Sequence, residues 1–268
     1  SEGATVDESF VVGGPVGDSE LLLCHGMVCV VGRMRDLILQ LSKSSIYSTK
    51  PRAARPMIDL VALKRPTFAV AIWGGSLFRM GVSAVPFLIP LMFQIGFGFD
   101  AFSAGMMLMA VFAGNLAMKP LTTRVMRRFG FRPVLVVNGL FNAALIGACA
   151  LFASQMPLWL ICLVLFLGGM ARSMQFTALN TIAFSDVPQA EMASANTLFS
   201  TAFQLAMGLG VALGAIAWRI GAVVAPEAGA ATAFRIAFLV VAVISLLGVW
   251  DSARLKPGSG DHVAKNKS

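Results

Sequence analysis

Residues Ser76–Pro90 read SLFRMGVSAVPFLIP, an apolar run broken by a single arginine, and the reading of that run decides the fold. It belongs to a longer apolar segment near 67–93. A helix rising about 1.5 Å per residue over that length crosses a hydrocarbon layer about 30 Å thick. Arg79 then lies near mid-depth. A central arginine costs about 2.5–3.5 kcal/mol on an insertion scale, and each Leu, Ile, Phe or Val returns about 0.3–0.6. Phe68, Val70, Ile72, Leu77, Phe78 and their apolar neighbours therefore carry the arginine in. On a helix Arg79 shares a face with Ile72, Gly75, Ser76, Ser83 and Pro86, whereas Trp73, Leu77, Met80, Ala84 and Phe87 lie opposite. Small and polar residues mark the side that meets other helices, so lipid is expected on the opposite face.

Outward from this segment, five more apolar runs follow, near 103–119, 133–153, 157–184, 193–220 and 231–250. The whole chain has 268 residues, 57% hydrophobic and 13% charged, against about 25% charged in soluble domains. It reads as an all-α membrane protein with a six-helix bundle over 66–253. The net charge of +8 does not indicate nucleic acid, because Lys and Arg gather between apolar runs and form no basic helix interleaved with aromatics. Lys50, Arg52, Arg55, Lys64 and Arg65 precede the first span. Lys119, Arg124, Arg127, Arg128 and Arg132 link the second and third, and Arg254, Lys256, Lys265 and Lys267 follow the sixth. The links IGFGFDAF and SQMP carry no basic residue. This bias places both ends in the cytoplasm.

Residues 1–50 fit less well. LLLCHGMVCVVG is too short to span and is followed at once by Arg33, Arg35 and Asp36. It has neither the basic flank nor the cleavage site of a signal peptide. The segment reads as the irregular or altered end of something longer, with a short interfacial helix near Met34–Leu41. Residues 51–65 form a cytoplasmic approach and 254–268 a flexible polar tail. His25 and His262 have no ligand-spaced partners, and no metal or cofactor site is indicated. The four cysteines are scattered and form no disulfide framework.

The fourth span repeats the oddity of the first. In GGMARSMQFTALNT, Arg172 is again near mid-depth, with Ser173, Gln175, Thr177 and Asn180 spread over half the circumference. Ionisable groups inside a membrane mark pathways, counter-ions or pairing with backbone carbonyls. Asn138 and Asn142 stack one turn apart in the third span. Thr197, Thr201, Gln204 and Gly208 form a seam on the fifth, and Ala206, Gly210 and Gly214 a small-residue packing face. The two guanidinium groups are expected to face one shared polar crevice. No Asp or Glu falls within the six expected spans.

Residues 56–250 resemble the C-terminal half of a major facilitator superfamily transporter of the fourteen-span drug:proton antiporter group. RPTFAVAIWGGSLFRMG and PLMFQIGFG carry the likeness around the first span. RRFGFRPVL opens the third, and RSMQFTALNTIAFSDVPQAEMASANTLFSTAFQLAMGLGVALGA crosses the fourth and fifth. The resemblance implies two three-helix repeats of inverted topology, forming one half of the fold. It also implies proton-coupled efflux of amphiphilic small molecules by alternating access in the bacterial inner membrane. An N-terminal helical bundle outside this chain would bring the coupling carboxylates. The cavity wall would include Arg79, Arg172, Gln175, Asn180 and Gln204. Arg128, Gly130 and Arg132 match the superfamily's gating-loop motif, with Arg127 where that motif has an acid. The alternative is a non-transporting membrane module, either a degenerate fragment or a packing subunit. An enzyme is disfavoured, since no nucleophile, base and orienting group gather at one depth.

Overall fold

Proline at a helix's first position gives up no needed N–H and has its φ preset for the turn. The first helix, α1, begins on one and runs Pro66–Leu91. Near its far end Pro86 and Pro90 interrupt the backbone ladder, and the helix widens into a π-helical turn, Met92–Gly96, closed by Phe97 N–H on Met92 O. Then follow α2 (Ala101–Phe129), α3 (Phe131–Cys149), α4 (Leu158–Ala183), a 3-10 turn (Gln189–Glu191), α5 (Met192–Val224) and α6 (Ala230–Ala253). Asp100 caps α2 by accepting from the backbone N–H groups of Phe102 and Ser103. Its hydrogen bonding to Ser103 holds the carboxyl below the usual range.

The computed structural model describes residues 62, 63, 65–224, 226 and 229–254. Among them there is no strand, and six helices are long and apolar enough to cross a membrane. The expectations for residues 1–50, for most of the basic approach and for the tail beyond Arg254 lie outside the described residues.

Helix α1 is the centre of the bundle, packed against α5, α6, α4 and α2. Two-thirds (67%) of its most apolar stretch is buried, against 17% for α2. This corrects the expectation that one face of α1 meets lipid: Met80 and Ala84 are buried, and Trp73, Leu77 and Phe87 are only partly exposed. Lipid tails are as apolar as leucine, so helices in a bilayer associate through close packing more than through hydrophobic burial. Glycines supply that packing on both sides of α1. Gly210 of α5 lies on Met80 and Ser83, Gly214 lies on Ala84, Gly81 faces Ser245 of α6, and Gly74 faces Gly248 and Asp251. A second glycine contact joins α2 to α4: a Cβ on Gly114 would strike the carbonyl of Phe166, and one on Gly169 that of Val111.

Two element limits differ from expectation. Helix α2 continues through Lys119, Arg124, Arg127 and Arg128 to Phe129, because hydropathy marks the edge of the apolar layer and not the end of the helix. Helix α6 extends to Ala253, so Asp251 lies inside it. Asp251 therefore stands in the last turn of α6, just past the expected apolar span 231–250.

At the end where α1 begins, the basic end, the α4–α5 link is tied to α1. Thr67 Oγ1 donates to Asp186 Oδ2 at 2.7 Å, and Arg65 pairs with Glu191 at 3.2 Å. This half-exposed ion pair (side chains 31% and 30% accessible) contributes about 1 kcal/mol at most.

Candidate functional site

Arg79 is 1% exposed and is among the largest fully buried side chains. Its Nη1 donates to Ala71 O, about two turns back along α1, at 3.1 Å. Its guanidinium carbon stands 4.7 Å from the Phe199 ring centroid and 4.9 Å from that of Phe203, both on α5. Gly75 leaves the room: a Cβ there would come within 2.6 Å of Arg79 Nη1. Nε and Nη2 have no partner among the described residues. The cage belongs to a wider aromatic cluster in which Phe78 meets Phe176 edge-on at 5.5 Å and Phe176 meets Phe203 at 5.7 Å. Planar guanidinium suits such a cage, because it stacks on aromatic faces and is weakly hydrated.

Arg172 sits elsewhere. Its guanidinium carbon is 5.6 Å from the Phe176 ring, and it helps line a cavity of about 30 Å³ bounded by residues of α1, α2, α3 and α4, among them Val82, Val111 and Asn142. Arg79 is not in that lining. The shared crevice expected for the two arginines is therefore replaced by two settings, an aromatic cage and a small cavity, linked through the Phe176–Phe203 ring contact. The reason is rotational: Arg79 points at α5, whereas Arg172 points back among α1 to α3.

Gln175 is buried and fully engaged with α3. Its Nε2 donates to Leu135 O at 3.0 Å, and its Oε1 accepts from Asn138 Nδ2 at 2.8 Å. Asn138 Nδ2 also reaches Ala171 O at 2.8 Å. Gly139, just below, brings the α3 backbone close, since a Cβ there would lie 3.3 Å from Gln175 Nε2. This Gln–Asn bridge is a pin between α3 and α4, separate from the open side of the bundle.

Asn180 and Gln204 are both exposed, on α4 and α5, and make no hydrogen bond among the described residues. Their exposed neighbours Thr177, Thr197 and Thr201 bond back to carbonyls four residues earlier, which satisfies a threonine on a helix without outside help. The two amides have no such recourse. Sequence periodicity found them, and five positions on a helix already turn Gln175 about 140° away from Asn180, but it gave no hint that Gln175 would be bonded to α3.

Where α2 ends, Gly130 takes φ 77°, a region that costs little only for glycine, and α3 starts at once. Arg132 Nη2 donates to Ala253 O at 3.1 Å, a favourable contact for a cation at the C-terminus of α6. Arg128 remains exposed and lies over its neighbour Phe129 at 5.8 Å. The link from Arg132 to α6 spans most of the bundle's sequence, and no local pattern announces it.

Residues 37–211 match the sequence profile of the Major Facilitator Superfamily. The chain belongs to that superfamily. Among its relatives, the "Putative multidrug resistance protein MdtD" of Serratia proteamaculans is 37% identical over 163 residues, covering 61% of this chain and 34% of the relative. The protein of the same name from Pectobacterium atrosepticum is 33% identical over 209 residues, covering 77% of this chain and 45% of the relative. The chain thus spans less than half the length of these relatives. Superfamily membership agrees with the six helices, among the described residues, that are long and apolar enough to cross a membrane.

Proposed function

We propose that this superfamily chain forms one six-helix half, residues 66–253, of a secondary transporter that exports small amphiphilic molecules by alternating access. We infer a bacterial inner-membrane location with both ends cytoplasmic and export driven by proton entry. The names of the relatives support the substrate class, and the basic residues at the end where α1 begins support the orientation.

One observation carries the reading: Asn180 and Gln204 stand exposed and unbonded among the described residues on α4 and α5, two helices in contact through the ring pairs Phe176–Phe203 and Phe184–Phe199. An unpaired amide facing acyl chains is costly, so this side of the bundle faces water or a second bundle. Thr177, Thr197 and Thr201 extend the same seam. Arg79 lies behind it, screened by Phe203, which is itself only partly buried. A small rotation of α5 against α1 moves that ring and brings a positive charge toward the cavity. At the basic end, Gly130 and Arg132 couple the α2–α3 turn to the end of α6, where a gating movement would be transmitted.

Two measurements test this on the complete transporter. In a cysteine-free background, Asn180→Cys and Gln204→Cys should react with a membrane-impermeant thiol reagent, while Val243→Cys on the apolar exposed side of α6 should not. Arg79→Ala should lower export at least tenfold at normal membrane insertion. Equal labelling at all three positions, or unchanged export, refutes the cavity assignment.

A further inference from the structure

The small cavity beside Arg172 has features that the transport reading does not use. Two residues of its lining each carry a buried donor with no partner among the described residues. The donors are Asn142 Nδ2, on a side chain only 2% exposed, and Arg172 Nε. The remaining lining is almost wholly aliphatic, with Val82 and Val85 from α1, Val111 from α2 and Leu165 from α4. Cys149, also in the wall, already donates its thiol to Leu145 O at 3.3 Å.

The charge balance is one-sided. Arg172 makes no ion pair or hydrogen bond among the described residues, and α2, α3 and α4 contain no Asp or Glu. The acids near the bundle are at its ends: at the basic end Asp186 meets Thr67, Glu191 meets Arg65 and Asp251 packs on Gly74, and at the other end Asp100 is engaged in capping α2. A guanidinium in low dielectric calls for an acceptor, and a charged one above all. A water bound here could accept from both donors, but its own two hydrogens would find little except the Asn142 carbonyl. An anion needs only donors. The volume, about 30 Å³, suits one monatomic ion or on the order of two waters by the same measure.

The geometry points to a site for a single halide-sized anion, chloride in the cell, held between Asn142 Nδ2 and the Arg172 guanidinium at the junction of α1, α2, α3 and α4. The bound ion neutralises Arg172 and ties α3 to α4 beyond the Gln175 pin. It stabilises the bundle whether or not the chain transports anything.

Thermal unfolding of the full chain in detergent, in sodium chloride, bromide and gluconate at one ionic strength, tests the site. Chloride and bromide should raise the unfolding temperature by on the order of 3 °C over gluconate, a far bulkier anion. Asn142→Asp places a carboxylate beside Arg172 and replaces the ion internally. That variant should unfold no lower than the wild type in chloride and should be indifferent to the anion. Asn142→Leu should also lose the anion dependence while unfolding at or below the wild type in gluconate. Identical wild-type curves in all three salts would leave water as the only occupant and overturn the proposal. An Asn142→Asp variant that keeps the halide effect, or that unfolds below the wild type in gluconate, would overturn it as well.

Discussion

A buried arginine can be stabilised by what it stacks on as much as by what it pairs with, and Arg79 illustrates the balance. Mid-membrane placement costs about 2.5–3.5 kcal/mol. Two ring contacts at about 0.5–2 kcal/mol each and one charged hydrogen bond at about 1.5–3 offset it. Its position at mid-span is readable from the run around it; its cage is not, because Phe199 and Phe203 lie far along the chain and no periodicity links them to residue 79. The glutamines make the same point. Gln175 and Gln204 both read as polar groups in apolar helices, yet Gln175 is bonded at both ends of its amide and Gln204 is exposed without a partner. Their variants should therefore separate. Gln175→Leu should lower stability by about 1 kcal/mol, in keeping with interhelical hydrogen bonds in membranes, and leave export near normal. Gln204→Leu should keep stability and lose most export. Thermal unfolding paired with vesicle transport of the complete protein reads both, and the reverse pattern would reassign the two residues.

At the level of elements, small residues decide which helices touch. The Gly210–Gly214 face on α5 is visible in the sequence as a repeat every fourth residue. The Gly114–Gly169 crossing is not, because α2 also carries Gly105 and α4 also carries Gly168, and which two meet is settled only between the helices. The two types of glycine can be told apart within α2. Gly105 has nothing within 4 Å of where a Cβ would stand, whereas Gly114 faces the Phe166 backbone, which cannot swing aside as a side-chain tip can. Gly105→Ala should be neutral or should stabilise by up to about 1 kcal/mol through helix propensity. Gly114→Ala should destabilise by about 1–3 kcal/mol, the range for overpacking. Equal unfolding midpoints for the two variants would mean that α2 and α4 do not cross at this glycine. The same reasoning explains the misplaced end of α2: charged residues mark where the apolar layer stops, and a helix needs no apolar layer to continue.

The whole bundle is asymmetric in charge, and this limits what it can do by itself. Its helices hold arginines at depth, and their one acid, Asp251, lies near the end of α6 against Gly74. Proton coupling requires a group that gains and loses a proton within the transport path, in practice a carboxyl or an imidazole. The superfamily is evident from the long motif across α4 and α5, but coupling cannot be read from this chain, because the groups that would carry it are not among its deep residues. We therefore expect residues 1–268, reconstituted alone in vesicles under an imposed pH gradient, to move no fluorescent cationic drug faster than empty vesicles do. Export should appear when the complementary helices are supplied, and Arg79→Ala should then abolish it. Drug export by the chain alone would place coupling on Asp251 or on residues outside the described helices. Asp251→Asn would decide between those two: loss of export would assign the proton to the α1–α6 contact at Gly74, and persistence would assign it to the links, which carry Asp100, Asp186, Glu191 and Glu227, or to the segments before Ala62 or after Arg254.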